Sequence, residues 1–312
     1  MARIAFLGPH GTFTEEALLS QADLAVEELI PMRSVPDVIA AVERWDADLG
    51  IVPIENSIEG SVNVTLDTLA FESELLIQRE VVLAIDLNLC ARPGNELAQI
   101  KTVVSHPHAT AQAREWLARK LPGVEIAAAN STAEAAQSVA RSRAAGRAAI
   151  STALAAKLYR LTVLATDVAD HPENQTRFVV LGRGIGGRTG HDKTTLVVFQ
   201  SQDRPGSLLG ILQEFAARAV NLTKLESRPT KRSLGEYCFF IDCEGHLDDE
   251  VLADVLRNLR AKHTVKFLGS YPAAGDSARA KRKAAGRAWK EAQSWIEELR
   301  AQVRRDEASG IA

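Results

Sequence analysis

Between residues 102 and 165 the chain alternates short strand-like runs with segments of helical period. Thr102 to Ser105 precedes Ala109 to Arg119, Val124 to Ala128 precedes Thr132 to Arg143, Ala148 to Ile150 precedes Ala153 to Leu158, and Thr162 to Ala165 closes the series. A chain that alternates in this way builds parallel or mixed sheets with helices on both faces. The first residues follow the same grammar: Ile4 to Leu7 runs into a glycine loop and a helix, and Leu49 to Ile54 runs into a polar loop and the helical stretch SVNVTLDTLAF. Two extended apolar runs, 81 to 90 and 176 to 182, stand apart from any such unit. They predict two crossings between two lobes, with a cleft at the hinge.

The pattern changes after GRGIGGRTGHDKT, which carries five glycines between 182 and 190 and marks a domain boundary. Beyond it the order is strand (194 to 200), helix, strand (222 to 228), strand (236 to 242), helix (249 to 262), strand (265 to 270), the ferredoxin-like βαββαβ sequence. In its first helix Leu208, Leu209, Ile211, Leu212, Phe215 and Ala219 form one apolar face that suits packing on the sheet. The expected layout is therefore α/β: a two-lobed domain over 1–183, a βαββαβ domain over 193–272, and a charged, helical tail over 276–312. That tail holds nine Lys and Arg against six Asp and Glu. Trp289, Ala292, Ile296, Leu299 and Val303 give it a short seam for packing on the body or on a partner. Its basic cluster, Arg279, Lys281, Arg282, Lys283 and Arg287, reads as a solvated helix start rather than a nucleic-acid contact.

At 312 residues with 46% apolar composition, the chain has material for two real cores. A formal charge of only −3 argues against wholesale binding to nucleic acid or membrane and points to a small partner. The apolar run in MARIAFLGP is too short for a signal-peptide core, and no segment approaches a membrane span, so a cytoplasmic location is expected. Cys90, Cys238 and Cys243 are odd in number, lie in strand-like runs and lack ligand spacing, which predicts buried reduced thiols. Neither a metal nor a cofactor is expected.

The chemistry gathers at loops after strands. GPHGTFTEEAL opens a helix after a glycine turn, with Thr12 and Glu15 at capping-box spacing, and helix starts of this kind attract anions. It is not a dinucleotide loop: Pro9 and His10 occupy the interior and no third glycine follows, while a Walker Gly-Lys-Ser/Thr is absent. IVPIENSIEGSV ends a strand at Glu55, Asn56 and Ser57 and begins a helix after Gly60 and Ser61, and SHPHATA and NSTAEAA do likewise. Each alone reads as a plain helix cap. Together they place donor-rich helix starts beyond strand ends, where open α/β sheets bind ligands, and suit a small polyanion. No G-x-S-x-G elbow, H-E-x-x-H or polar cysteine supports nucleophilic or metal-assisted hydrolysis. In DHPENQTRFVVLG a hydroxyl and a guanidinium, Thr176 and Arg177, stand where a polar loop meets a strand.

In order along residues 3 to about 272, GPHGTFTEEAL, PIENSIEGSVNVTLD, SHPHATAQAREWL, STAEAA, NQTRFVVLGR, RPGSL and LESRPT resemble prephenate dehydratases carrying a C-terminal ACT regulatory domain. The string from Pro53 to Asp67 and the Thr-Arg-Phe triplet are its most specific parts. The chain departs from the pattern at His10 and His108, at Arg160 in place of a glycine, and in the tail; the triplet is intact. A fused chorismate mutase domain, present in some relatives, is not expected before residue 3.

The resemblance implies a fold like that of two-lobed solute-binding proteins and a carbon–oxygen lyase that converts prephenate to phenylpyruvate, water and carbon dioxide. It makes Thr176 the catalytic residue, donating to the departing oxygen, and places the substrate among Thr12, Glu55, Asn56, Ser57, Gly60, Ser61, Ser105 and Arg177. In an extended 176–181, Thr176, Phe178 and Val180 share one face and Arg177 takes the other, so Arg177 either anchors the hinge strand or meets a carboxylate. The resemblance further implies L-phenylalanine as an inhibitory effector held between two subunits by Arg204, Pro205, Gly206, Ser207 and Leu208 with Glu226, Ser227, Arg228 and Pro229, in a homodimer or homotetramer. Three alternatives stay open: an enzyme acting on arogenate, the amino analogue; a non-catalytic amino-acid sensor; and an ACT domain that only dimerises.

Overall fold

The structure, a computed structural model, describes residues 1–200, 205–231, 235–274 and 294–301. The chain separates into two compact units, Met1–Gly184 and Ile185–Ala312.

The first lobe of the first unit contains β1 (Arg3–Leu7), α1 (Phe13–Leu19), β2 (Glu28–Met32), α2 (Val35–Glu43), β3 (Leu49–Asn56), the two-residue β4 (Gly60–Ser61), α3 (Asn63–Phe71) and β5 (Leu76–Ala84). The second lobe contains β6 (Asn88–Ala91), β7 (Thr102–Ser105), α4 (Pro107–Gln112), α5 (Arg114–Lys120), β8 (Glu125–Ala128), α6 (Thr132–Arg141), β9 (Arg147–Ser151), α7 (Ala153–Leu158) and β10 (Thr162–Ala165). The chain then returns to the first lobe as β11 (Gln175–Gly182). The sheet orders are β2-β1-β3-β11-β5 and β10-β6-β9-β7-β8, mixed in both cases.

The alternation thus yields the expected two-lobed α/β architecture. One crossing falls at 85–87, inside the expected 81–90 run. The other differs from expectation: 176–182 is no crossover but β11, hydrogen-bonded between β3 and β5, and the chain crosses earlier, over 166–174. Phe178, Val179, Val180 and Leu181 are apolar because β11 is buried in mid-sheet. The helix expected over 109–119 is two helices joined at Ala113, whose φ of −113° and ψ of 14° are not helical. The Asp170 carboxylate, from the second crossing, accepts from the Glu115 and Trp116 amides at 2.9 Å each and caps the second helix from outside.

The second unit contains β12 (Asp192–Phe199), α8 (Ser207–Ala216), β13 (Leu222–Pro229), β14 (Tyr237–Glu244), α9 (Glu250–Lys262) and β15 (Thr264–Pro272), in an antiparallel sheet of order β13-β14-β12-β15. Ile211 and Phe215 of α8 and Leu252, Val255 and Leu259 of α9 pack with Leu196, Val198 and Ile241. Residues 294–301 of the tail are helical. Ile296 and Leu299 of the expected seam stand exposed there, whereas Trp289, Ala292 and Val303 and the basic cluster from Arg279 to Arg287 lie outside the described residues.

The glycine-rich stretch between the units is held at both ends. On the first unit Arg183 lies 3.5 Å over the Trp45 ring and donates to Val42 O, and Gln78 donates to Gly184 O at 2.7 Å. On the second, the ring of buried His246 accepts from the Asp248 amide at Nδ1, so Nε2 carries the proton and donates to Gly186 O at 2.9 Å. Arg188 pairs with Asp249 at 2.7 Å, and the Asp192 carboxylate gathers the Thr189 and Gly190 amides. All three cysteines are buried and unbridged, and burial pushes the Cys90 thiol up to about 12, far from reactive thiolate.

Candidate active site

The two lobes of the first unit enclose a cleft of about 1160 Å³, room for a small polar ligand with its ordered water. Its lining comes from strand ends and helix starts: the β1–α1 loop and Thr12 to Thr14, Asn56, Gly60 and Ser61 from the first lobe, and Asn130 to Thr132 from the second. Two of the expected caps are real, since Thr12 and Ser131 each accept from the backbone amide three residues on, and Thr152, which no motif announced, does the same for α7. Glu15 and Glu134 reach one residue further back than a capping box requires, to the amides of Gly11 and Asn130.

Thr176 lies at the cleft end of β11, nearly buried, and lines the cavity with Phe178 two residues on. Its oxygen accepts from the Asn56 side-chain amide at 2.9 Å. The direction of that bond follows from Asn56 itself, whose Oδ1 accepts from the Ile58 and Glu59 amides at 2.9 Å each, so its nitrogen faces Thr176. With its oxygen occupied as an acceptor, the Thr176 hydroxyl has its proton to give, and the incoming bond polarises it toward giving. The same Asn56 nitrogen lies 2.8 Å from Asn174 Oδ1; Asn174 donates to Gln112 Oε1 at 3.0 Å, and Gln112 donates to Glu59 Oε1 at 3.1 Å. This chain links both lobes and the second crossing to one hydroxyl.

Of the residues expected at the substrate, the structure brings Thr12, Asn56, Gly60, Ser61 and Thr176 together on the lining. Four others lie off it. Arg177 points to the opposite face of β11, where its guanidinium sits between Glu55 at 3.0 Å and buried Glu80 at 3.3 Å. Two carboxylates around one largely buried guanidinium make this a structural ion triad, which aligns β11 with β3 and β5. Ser57 accepts from the Gln175 amide and braces the loop. Ser105 is fully buried and donates to Ile150 O at 2.7 Å, joining β7 to β9. Sequence reasoning did not single out Gln112, Tyr159 or Gln137 as lining residues. Gln112 ends α4 within the stretch SHPHATAQAREWL, whose pattern marks a helix start rather than this side chain, and only its distant partners Asn174 and Glu59 reveal it.

Three groups in and beside the cleft are electrostatically shifted, among them Tyr159, whose hydroxyl burial pushes up. Burial, aided by repulsion from His108, holds the His106 imidazole below its usual range against the pull of Glu59. Burial likewise raises the Glu16 carboxyl, which accepts from the Leu154 amide at 3.2 Å where α1 meets α7. Among the described residues no group of three His, Cys, Asp or Glu side chains is arranged to hold a metal ion, and no helix is long and apolar enough to cross a membrane.

In the second unit Gly206 caps α8 with φ of 86°, a left-handed conformation that favours glycine. Pro205, Ser207 and Leu208 flank it, and Glu226, Ser227, Arg228 and Pro229 lie on β13, where Arg228 pairs with Glu226 at 3.0 Å. Arg204 lies outside the described residues.

A two-lobed α/β unit with a hydroxyl-lined cleft, followed by a βαββαβ unit, defines a class of two-domain cleft protein. Comparison with known proteins gives the family. Residues 4–185 match the prephenate dehydratase family model and residues 194–261 match the ACT domain model. A prephenate dehydratase of Mycolicibacterium vanbaalenii is 45% identical over 96% of this chain and 99% of its own. The crystal structure of the Arthrobacter aurescens prephenate dehydratase in complex with L-Phe superposes with a TM-score of 0.84 at 41% identity, covering 95% of this chain and 99% of that one. A structure described as GqqA, a novel type of quorum quenching acylase, superposes with a TM-score of 0.77 at 30% identity, over 87% of this chain and 98% of that one. The chain belongs to the prephenate dehydratase family, a family of lyases, and carries an ACT domain.

Proposed function

We propose that the cleft dehydrates and decarboxylates prephenate to phenylpyruvate, with Thr176 as the catalytic residue. The observation that carries this reading is the Thr176 hydroxyl on the cleft lining, its oxygen held at 2.9 Å by an amide whose orientation two backbone donors fix. In the reaction the bond from the ring to its carboxylate breaks and carbon dioxide leaves. The released electron pair completes the aromatic ring as the bond to the ring hydroxyl breaks, and the departing oxygen takes up a proton to leave as water. Aromatisation supplies the driving force, so the protein's task is the poor leaving group. A threonine is a weak acid, and its contribution is a preorganised hydrogen bond that strengthens as negative charge grows on the departing oxygen. Donors at Thr12, Asn56, Ser61 and the first turn of α6 suit the substrate's carboxylates. Glu55, Ser57, Ser105 and Arg177 support the strands that carry these donors.

On this reading residues 1–183 are the dehydratase domain, 193–272 the regulatory domain and 276–312 an appended tail, in a cytoplasmic homo-oligomer. L-phenylalanine, named in the Arthrobacter aurescens complex, is the proposed effector at Gly206 and the end of β13. Calorimetry with L-phenylalanine on the wild type and on Gly206→Val tests that part: equal binding by both would remove it. Against an acylase reading, the partner of Thr176 is an amide donor rather than a base that would activate it as a nucleophile.

The main test is incubation with prephenate and detection of phenylpyruvate, with arogenate compared by kcat/KM. Thr176→Val, nearly isosteric, is expected to lower kcat by about 10² or more with KM largely kept, as for loss of one transition-state donor. Undiminished turnover would remove Thr176 from the mechanism. Thr176→Ser is expected to retain partial activity.

A further inference from the structure

We propose that His10, on the β1–α1 loop, is a binding residue for a carboxylate of the substrate; this rests on the dehydratase reading and deepens it. His10 Nδ1 lies 2.7 Å from Glu15 Oε1, and the other Glu15 oxygen accepts from the Gly11 amide. A carboxylate that accepts from both fixes the ring: Nδ1 carries a proton toward Glu15, and Nε2 is on the far edge of the imidazole. The side chain of Glu15 is 11% exposed and that of His10 is 47% exposed, and His10 lines the cleft. The ring therefore spans from a buried anion to the ligand space.

Its position is fixed from three sides. The Phe6 ring lies 5.4 Å away, centroid to centroid. Tyr159 donates to His10 O at 3.0 Å, and Thr152 donates to Gly11 O at 2.7 Å, so α7 and its C-terminal turn grip the loop from the second lobe. A donor held this way loses little freedom on binding.

The charges in the cleft explain why this donor matters for a substrate with two carboxylates. Glu59 and Glu134 line the cleft and repel an anion. The permanent cation on the described lining, Arg33, has a side chain 96% exposed. The ring of His106 is held toward its neutral form, and His108 faces Glu59 at 3.8 Å. His10 differs from both, because its anionic partner lies behind the ring and leaves the cleft-facing edge available to the ligand. An imidazolium at this position donates a charge-assisted hydrogen bond from Nε2 to the substrate, with the Glu15 carboxylate behind the ring to balance the charge.

The test uses the full-length enzyme with prephenate as substrate. His10→Asn keeps a donor near Glu15 but removes the atom at the Nε2 position. It is expected to raise KM about tenfold or more with kcat within about threefold, the pattern of a contact made equally in ground and transition states. His10→Gln, whose terminal amide reaches toward the Nε2 position, is expected to recover part of the loss, and Glu15→Gln, which removes the balancing charge, to give an intermediate KM. Circular dichroism and melting curves identify any variant whose loss comes from misfolding, and the remaining variants decide. An unchanged KM in folded His10→Asn and His10→Gln would overturn the proposal, as would a fall in kcat at constant KM. Absence of turnover by the wild type would sink the dehydratase reading and this inference with it, a failure distinct from wild-type turnover with indifferent variants.

Discussion

The two lobes border one cleft with different packing. On the first lobe, Ile4, Phe6, Leu18, Ile51, Val81, Phe178 and Val180 form a core of large aliphatic and aromatic side chains. The α6–α7 side of the second lobe is built instead from Ala133, Ala135, Ala136, Ala149 and Ala155 with Val104 and Val139. Large side chains hold a sheet and its helices apart and fix β11 from below. Alanines let helices settle close to the strands and bring the capped start of α6, with Tyr159 at the end of α7, up to the cleft. The close approach continues between the lobes: a Cβ added at Gly11, whose φ is 92°, would lie 2.9 Å from the Ala155 Cβ. The lesson is that one side of the site is held by volume and the other by proximity.

Three substitutions probe that contrast. The largest effect is expected in the first lobe, where Ile51→Ala leaves a cavity among residues that cannot collapse, costing about 2–5 kcal/mol in denaturant unfolding. The same loss of volume has no counterpart on the alanine side, where the sensitive change runs the other way. Ala149→Leu, between Cys90 and Val104 in mid-sheet, is expected to cost about 1–3 kcal/mol by overpacking and to raise KM as α6 and α7 are displaced. If Ala149→Leu is neutral, the second lobe is looser than its burial indicates, and the contrast fails.

The smallest effect is a pH dependence at the contact between α1 and α7. Burial raises the Glu16 carboxyl in the folded chain, so the folded state holds that proton more tightly than the unfolded state does. Its stabilising contribution is complete below the ordinary glutamate value and is lost as pH rises through the raised one. Glu16→Gln, which keeps an oxygen for the Leu154 amide, is expected to flatten this part of the stability profile. An unaltered slope in urea titrations across that range would show that Glu16 is not its source.

Much of this architecture was legible from local pattern, and the exceptions share a cause. The strands around 102–105 and 148–150 announce themselves because buried strands need apolar runs wherever they occur. The segment containing β2 and α2 did not: ELIPM is an edge strand with little burial, and its alternation is correspondingly weak. The break at Ala113 was invisible because its cause, Asp170, is more than fifty residues away. The site divides similarly. Thr12, Asn56 and Ser61 sit in motifs whose local chemistry places them at strand ends. Arg177 and Ser105 sit in such motifs too, and only pairing with Glu80 and Ile150 turns them from the ligand to the scaffold. Gln112 and His10 acquire their positions from partners in other elements, which no single-residue spacing records.

The anchored stretch between the units has a consequence for proteolysis. Gly184, Gly186 and Gly187 in an exposed run look like an open invitation to a protease, which must draw several residues of extended chain into its own cleft before cutting. Here Gly184 is bonded to Gln78 and Gly186 to His246, with Ile185 alone between the two holds, and Arg188, Thr189 and Gly190 are engaged immediately beyond. Cutting there requires one set of anchors to open first, so the rate of nicking reports how often those hydrogen bonds break rather than how exposed the glycines are.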